Sequence, residues 1–269
     1  MLDFISGLVL DGFLPVFTSM LGFLPTVVLL LTVVSLFEHG GWTLGFGCTT
    51  LAVSNCGDDK RLVRFLTFIP CVAKLPVLMF LCGMVLGFNV FGVVFLYILA
   101  VFLGLLLAKN APIRFPRLRK ISLKDLLVTI IKNIFDFLHR ISFGLVLAIS
   151  ALYTLQYFGV LVPISAILTP IFAPIGLDNP ALVIAIIFGL VAKEMIIGVL
   201  LSFGLSSIGF TAATGLSFAI FVLLYTPCLP ALTAIKSKLG FRFATQTAIF
   251  NFCVAYACAF AVYMLLLLI

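Results

Sequence analysis

Val90–Leu107 reads VFGVVFLYILAVFLGLLL, eighteen consecutive residues with no charge and no proline. A run of that length and character is a candidate membrane-spanning helix. Strand-like alternation of apolar and polar residues over ten-residue windows is absent here and elsewhere, which argues against a membrane barrel. In lipid the backbone must then satisfy its own hydrogen bonds as helix. The whole chain agrees: of 269 residues, 64% are hydrophobic and 9% charged, with a mean hydropathy of +1.37. A soluble domain carries about 25% charged residues, so this chain cannot coat itself for water. The expected fold is an all-α, polytopic helical membrane protein.

Upstream of this run, 62–85 is long enough to span but is interrupted by Pro70 and Pro76, which predicts a broken or kinked helix. Leu21–Phe37 is a further span, whereas 46–55 is too short to cross and 1–17 suits an interfacial helix. Downstream, Ser122-Leu-Lys-Asp125 resembles a capping box and should open an amphipathic helix over 123–139, lying on the membrane surface. Spans are expected over 141–157, over 181–201 (apolar except for Lys193-Glu194) and over 244–269. The three prolines of 161–174 predict a re-entrant or broken element, and 216–224 runs into Tyr225-Thr-Pro-Cys-Leu-Pro230. The total is about six or seven crossings. No removable signal peptide is expected at the N-terminus.

The net charge of +7 is concentrated. Lys109, Arg114, Arg117, Arg119, Lys120 and Lys124 crowd one loop. Smaller groups stand at Lys60, Arg61 and Arg64 and at Lys236, Lys238 and Arg242. Beside long apolar runs these read as cytoplasmic loops, not as a nucleic-acid surface. The seven cysteines include no Cys-x-x-Cys pair, and most lie in apolar stretches. His39 and His139 lack metal-ligand spacing, and Trp42 reads as an interface anchor. No arrangement of nucleophile, base and acid appears, so an enzyme is not expected.

Two regions echo each other. Gly45-Phe-Gly-Cys48 is followed by Ile69-Pro-Cys-Val-Ala-Lys-Leu-Pro76, and Gly189-Leu-Val-Ala-Lys-Glu194 by Thr226-Pro-Cys-Leu-Pro-Ala-Leu232. Paired proline-interrupted segments in two halves point to a transport site between repeats. Breaks at Pro70, Pro76, Pro227 and Pro230 would leave carbonyls and half-helix dipole ends available to an ion.

On these residues, with Leu223-Leu-Tyr-Thr-Pro-Cys228 and Pro170-Ile-Phe-Ala-Pro174, the chain resembles the membrane domain of FeoB-type ferrous iron transporters. That domain contains paired gate, or nucleoside-recognition-like, segments. The resemblance implies a first membrane half with gate repeat 1 (1–108), a basic loop and interfacial helix (109–140), and a second half with gate repeat 2 (141–269). It implies Fe2+ as the transported ion in a prokaryotic cytoplasmic membrane, crossed several times. The family's GTPase has no counterpart here: no Gly-Lys dipeptide occurs, hence no P-loop and no GTP site. The first gate departs from the family pattern too, reading Gly47-Cys-Thr-Thr-Leu-Ala52 where Gly-Cys-Asn-Val-Pro-Ala is usual, with a helix before it shortened away. The expected partners are the bilayer, a soluble GTPase, a small SH3-like accessory protein and further copies of the chain, and no nucleic acid.

Cys71 and Cys228 occupy equivalent places, each directly after proline, and thiolate suits borderline-soft Fe2+ where Mg2+ or Ca2+ would be rejected. Cys48 matches the first-gate cysteine by resemblance. Glu194 is an acid within an expected span, which marks a pathway or an ion pair. Lys74, from the opposite repeat, is its candidate partner; Lys193, about 100° away on a helix, is a poorer one. Cys82, Cys253 and Cys258 read as packing residues. The alternatives to iron transport are another divalent metal or a nucleoside-like solute as cargo, or a non-transporting membrane scaffold, which the altered first gate would suit.

Overall fold

The structure, a computed structural model, describes residues 49–108 and 158–268 apart from 57, 72, 86, 88–89, 194 and 205–207, with scattered positions at 28, 32 and between 124 and 155. Among the described residues every regular element is helical. The expected helices at 1–17 and 21–37, the loop at 109–123 and much of 141–157 lie outside them.

Helix α1 is Thr49–Asn55. Helix α2, Lys60–Phe68, starts where the Asp59 carboxylate accepts from the Arg61 and Leu62 amides at 2.7 and 3.4 Å. It stops at Ile69, which the following proline holds extended (φ −66°, ψ 124°). Helix α3, Lys74–Phe80, continues into a π-helical turn at Leu81–Val85, so 62–85 is broken as expected. We expect Asp59→Ala to cost about 1 kcal/mol, read as a lower thermal midpoint in detergent. Asp59→Asn should keep most of that stability, because either side chain caps; equal losses would show that the cap is unimportant.

Helix α4 is Val90–Leu107, expected as a clean span; its apolar part, Phe91–Leu107, falls just short of the length that the spanning segments below reach. Helix α5, Leu161–Phe172, passes into a 3-10 turn at Ala173–Ile175 that ends on Gly176 at φ 78°. The Tyr263 ring lies where a Cβ on Gly176 would stand. Asn179 then caps helix α6, Pro180–Val191, accepting from the Ala181 amide at 2.9 Å and donating to the Ile208 carbonyl at 3.1 Å. The two apolar segments meet at 99°, so a broken element is present as expected, but the bend falls at Gly176–Asn179, after the prolines of 161–174, and the helix runs unbroken through Pro170.

One expectation is corrected. The run 181–201 is not one helix: Ala192 is extended (φ −149°, ψ 135°), and helix α7 begins afresh at Met195–Phe203. Helix α8, Ala212–Leu224, is followed by a break at Tyr225–Cys228, then by α9, Leu229–Leu239, and α10, Phe241–Leu267. Two described helical segments are long and apolar enough to cross a membrane, Ala212–Leu239 and Phe241–Leu267, with a third if the bent pair is one crossing.

Helix α8 is the axis of the core. Phe218 to Tyr225 are all buried, packed against α10, α3, α4 and the π turn, as expected of a helix apolar on every side. The exterior is apolar as well: α4 turns Phe91, Phe95, Ile98 and Phe102 outward. Apolar outer faces around an apolar core are the signature of a protein whose solvent is lipid. Among the described positions of 124–135, Leu127, Val128, Ile131 and Phe135 are helical and exposed. The two smaller basic groups meet at one end of the bundle. Lys60 and Arg64 lie over the Phe243 ring at 5.9 and 5.4 Å. Lys238 caps the C-terminal end of α1 through the carbonyls of Val53, Ser54 and Cys56.

Candidate functional site

Proline places a gap in each of two helices. At the first break, Ile69–Ala73, Pro70 lacks an N–H and Cys71 follows it, buried, with its carbonyl accepting from the Lys74 amide at 2.9 Å. The Tyr97 hydroxyl approaches the Pro70 carbonyl at 3.5 Å. At the second break, Tyr225 is fully buried, stacked on Phe221 (centroids 5.3 Å apart) with its hydroxyl 3.3 Å from the Ile186 carbonyl. Thr226 ties the break to α10 by donating to the Ala248 carbonyl at 3.0 Å. Cys228, half-buried, opens α9.

Two buried lysines close on the second break. Lys74, 3% exposed, donates to the Leu223 carbonyl at 2.7 Å. Lys193, 1% exposed, donates to the Thr226 carbonyl at 2.8 Å, with its nitrogen 3.1 Å from the centre of the Tyr225 ring. Both Cys71 and Cys228 lie within electrostatic reach of the Lys74 ammonium. Cys71 also reaches Tyr97, and Cys228 reaches Tyr225. The Cys71 and Cys228 thiols and the buried Lys74 nitrogen therefore share one neighbourhood at the meeting of α3 and the end of α8. Sulfur and carbonyl oxygen are donor types that suit a borderline-soft cation.

The structure brings Cys71, Cys228 and Lys74 together and sets Lys193 on the second break. Cys48 and Glu194 lie outside the described residues, so the candidate Lys74–Glu194 pair does too. Among the described residues no group of three or more His, Cys, Asp or Glu is placed to hold a metal. Pro70 and Pro227 stand in the breaks, but Pro76 and Pro230 do not. They sit in the first turns of α3 and α9, where an absent N–H costs nothing because those amides have no helical partner. Cys82 is buried in the π turn, Cys258 is half-buried and Cys253 faces outward.

Three participants were not singled out from sequence. Tyr225 stood in a quoted motif without a role. Thr67 and Asn251 meet inside the bundle, hydroxyl to amide oxygen at 3.4 Å, and the fully buried Asn251 amide nitrogen has no partner among the described residues. An asparagine in the middle of an apolar helix was the available signal.

No family model and no solved structure matches the chain. It is similar to Fe(2+) transporter FeoB of Methanocaldococcus jannaschii, 24% identical over 96% of this chain and 49% of the relative. The corresponding protein of a Synechocystis species is 26% identical over 86% of this chain and 48% of the relative. That of Staphylococcus aureus is 22% identical over 97% and 49%. The resemblance first read from the motifs thus extends along nearly the whole sequence, while the chain spans about half the length of the curated relatives it matches.

Proposed function

We propose that these 269 residues form the permeation core of a ferrous iron transporter, crossing a prokaryotic cytoplasmic membrane several times. The observation that carries this reading is that the two proline breaks come together where Lys74, from beside the Cys71 break, donates to the Leu223 carbonyl at the end of the helix that leads into the Cys228 break. Relatives named as Fe(2+) transporters along 86–97% of the chain support it. Fe2+ binds the two sulfurs as thiolates, a donor type that discriminates against Mg2+ and Ca2+. Carbonyl oxygens at the breaks complete a site weak enough for the ion to leave. Glu194 and Cys48 are carried into this reading as metal-ligand candidates by sequence alone. The role is transport, not catalysis. Nucleotide-dependent control, through a G domain and an SH3-like accessory protein, comes from polypeptide outside this stretch and acts on its basic face, and copies of the chain associate in the bilayer.

The test is anaerobic uptake of ⁵⁵Fe2+ into proteoliposomes holding the purified chain, with and without a G domain and GTP, beside Mn2+, Mg2+ and a nucleoside. Saturable Fe2+ uptake exceeding Mg2+ uptake by at least about tenfold is expected from the donor set. Uptake of the nucleoside or of Mg2+ instead would reassign the cargo, and no uptake under any condition would leave a scaffold.

A further inference from the structure

Two carbonyls at the second break face positions where a continuing helix would supply a donor and this chain cannot. The Leu223 oxygen would meet the amide of residue 227, which is proline, and the Thr226 oxygen lies in the extended stretch between α8 and α9, where neither helix supplies a donor. Each oxygen is filled by a lysine side-chain nitrogen from elsewhere in the chain: Lys74 at 2.7 Å and Lys193 at 2.8 Å. The first comes from the opposite repeat, 149 residues away, the second from the unwound turn between α6 and α7.

A neutral donor would satisfy those carbonyls with far less desolvation. Burying an ammonium is costly, and two of them beside a cation path repel the cargo at short range in a medium of low dielectric. An ammonium and a divalent cation therefore cannot hold the same oxygens together. Lysine also has what a removable occupant needs: a compact point charge on a flexible four-carbon stem. The Tyr225 face against Lys193 gives that charge a resting place.

We infer that Lys74 and Lys193 are tethered cations that occupy the oxygen ligands of the second break, Leu223 and Thr226, when no cargo is bound, and that the transported divalent cation must displace them. The inference rests on the permeation reading above and adds an internal competitor to it. The empty path is thereby closed by its own positive charge, and arrival of cargo is coupled to release of two side chains from two different segments.

The experiment compares anaerobic ⁵⁵Fe2+ binding to the purified protein, by equilibrium dialysis, across the parent, Lys74→Met, Lys193→Met, the double variant and the Lys→Arg controls. Thiol-dependent flux is measured in parallel. Removing a competitor should tighten binding by about tenfold in the double variant, within the ordinary range for coupled sites. The Lys→Arg controls, which keep the charge, should stay near the parent. Unchanged or weaker binding in the Met variants would overturn the inference, since a purely structural lysine predicts loss on removal. Should the Met variants not fold, reductive methylation of Lys74 and Lys193 in the parent decides: it should rise when Fe2+ saturates the protein, and no rise would overturn the proposal. Thiol-dependent flux with unchanged binding in the variants would remove the competitor and leave the transporter. Tighter binding without thiol-dependent flux would do the reverse.

Discussion

Replacing Cys71 and Cys228 together with serine should reduce ferrous iron uptake by the reconstituted protein to less than about a tenth of the parent rate, a loss of at least about 1.4 kcal/mol of stabilisation along the path. Serine keeps the size and the hydrogen-bonding capacity of cysteine but offers a hard, neutral oxygen in place of a soft anion. Because both thiols lie near the Lys74 side chain, each single variant should retain one sulfur and lose less than the pair. Their effects should not simply add, since both act on one site. The control is Cys253→Ser, whose sulfur lies on the outer face of α10; it should transport at the parent rate. Residual Mn2+ or Mg2+ uptake should suffer less than Fe2+ uptake, because only the soft component is removed. A double variant that still moves Fe2+ at more than half the parent rate would show that the ion passes elsewhere.

The sequence made the two Pro-Cys breaks legible because proline acts locally: it deletes its own donor and constrains the residue before it, as the extended Ile69 shows. The same rule overreached at Pro76 and Pro230. Proximity to an upstream proline suggested second breaks, yet each occupies a first helical turn, where no intrahelical donor is needed. The interruption at Ala192 was not legible. No proline marks it, and what holds the unwound turn is distant: Lys193 reaches the Thr226 carbonyl, 33 residues on. The candidate pairing of Lys74 with Glu194 lies outside the described residues, whereas the contact that Lys74 does make is to a backbone oxygen, which carries no residue type to read. The clue available was arithmetic, a proline four positions beyond Leu223.

Gly189→Ala should be among the most damaging single-methyl changes in the protein, although it adds one carbon to a helix and alanine is the better helix former. A Cβ there would overlap the Tyr225 hydroxyl and the Ile196 side chain, and both of those residues are fully buried with no room to retreat. Overpacking of this kind costs about 1–3 kcal/mol, more than the few tenths to 1 kcal/mol gained by removing a helical glycine, so the sign is a lower thermal midpoint. The functional consequence follows from what Tyr225 touches. Its ring lies under the Lys193 ammonium and its backbone leads into the Thr-Pro-Cys break, so displacing it moves two parts of the candidate path together. Iron uptake should fall with stability in Gly189→Ala. Tyr225→Phe alone gives up only a long hydroxyl contact to the Ile186 carbonyl and should stay within about 1 kcal/mol of the parent. The informative measurement is the double variant Gly189→Ala, Tyr225→Phe. Removing the hydroxyl that the new methyl strikes should recover part of both losses, a coupling of about 0.5–3 kcal/mol between groups in contact. Strict additivity would place the strain at Ile196 instead, and Gly189→Ala, Ile196→Ala would then be the pair that recovers. Parent-like behaviour of Gly189→Ala itself would mean that Tyr225 need not lie across α6 for the site to form.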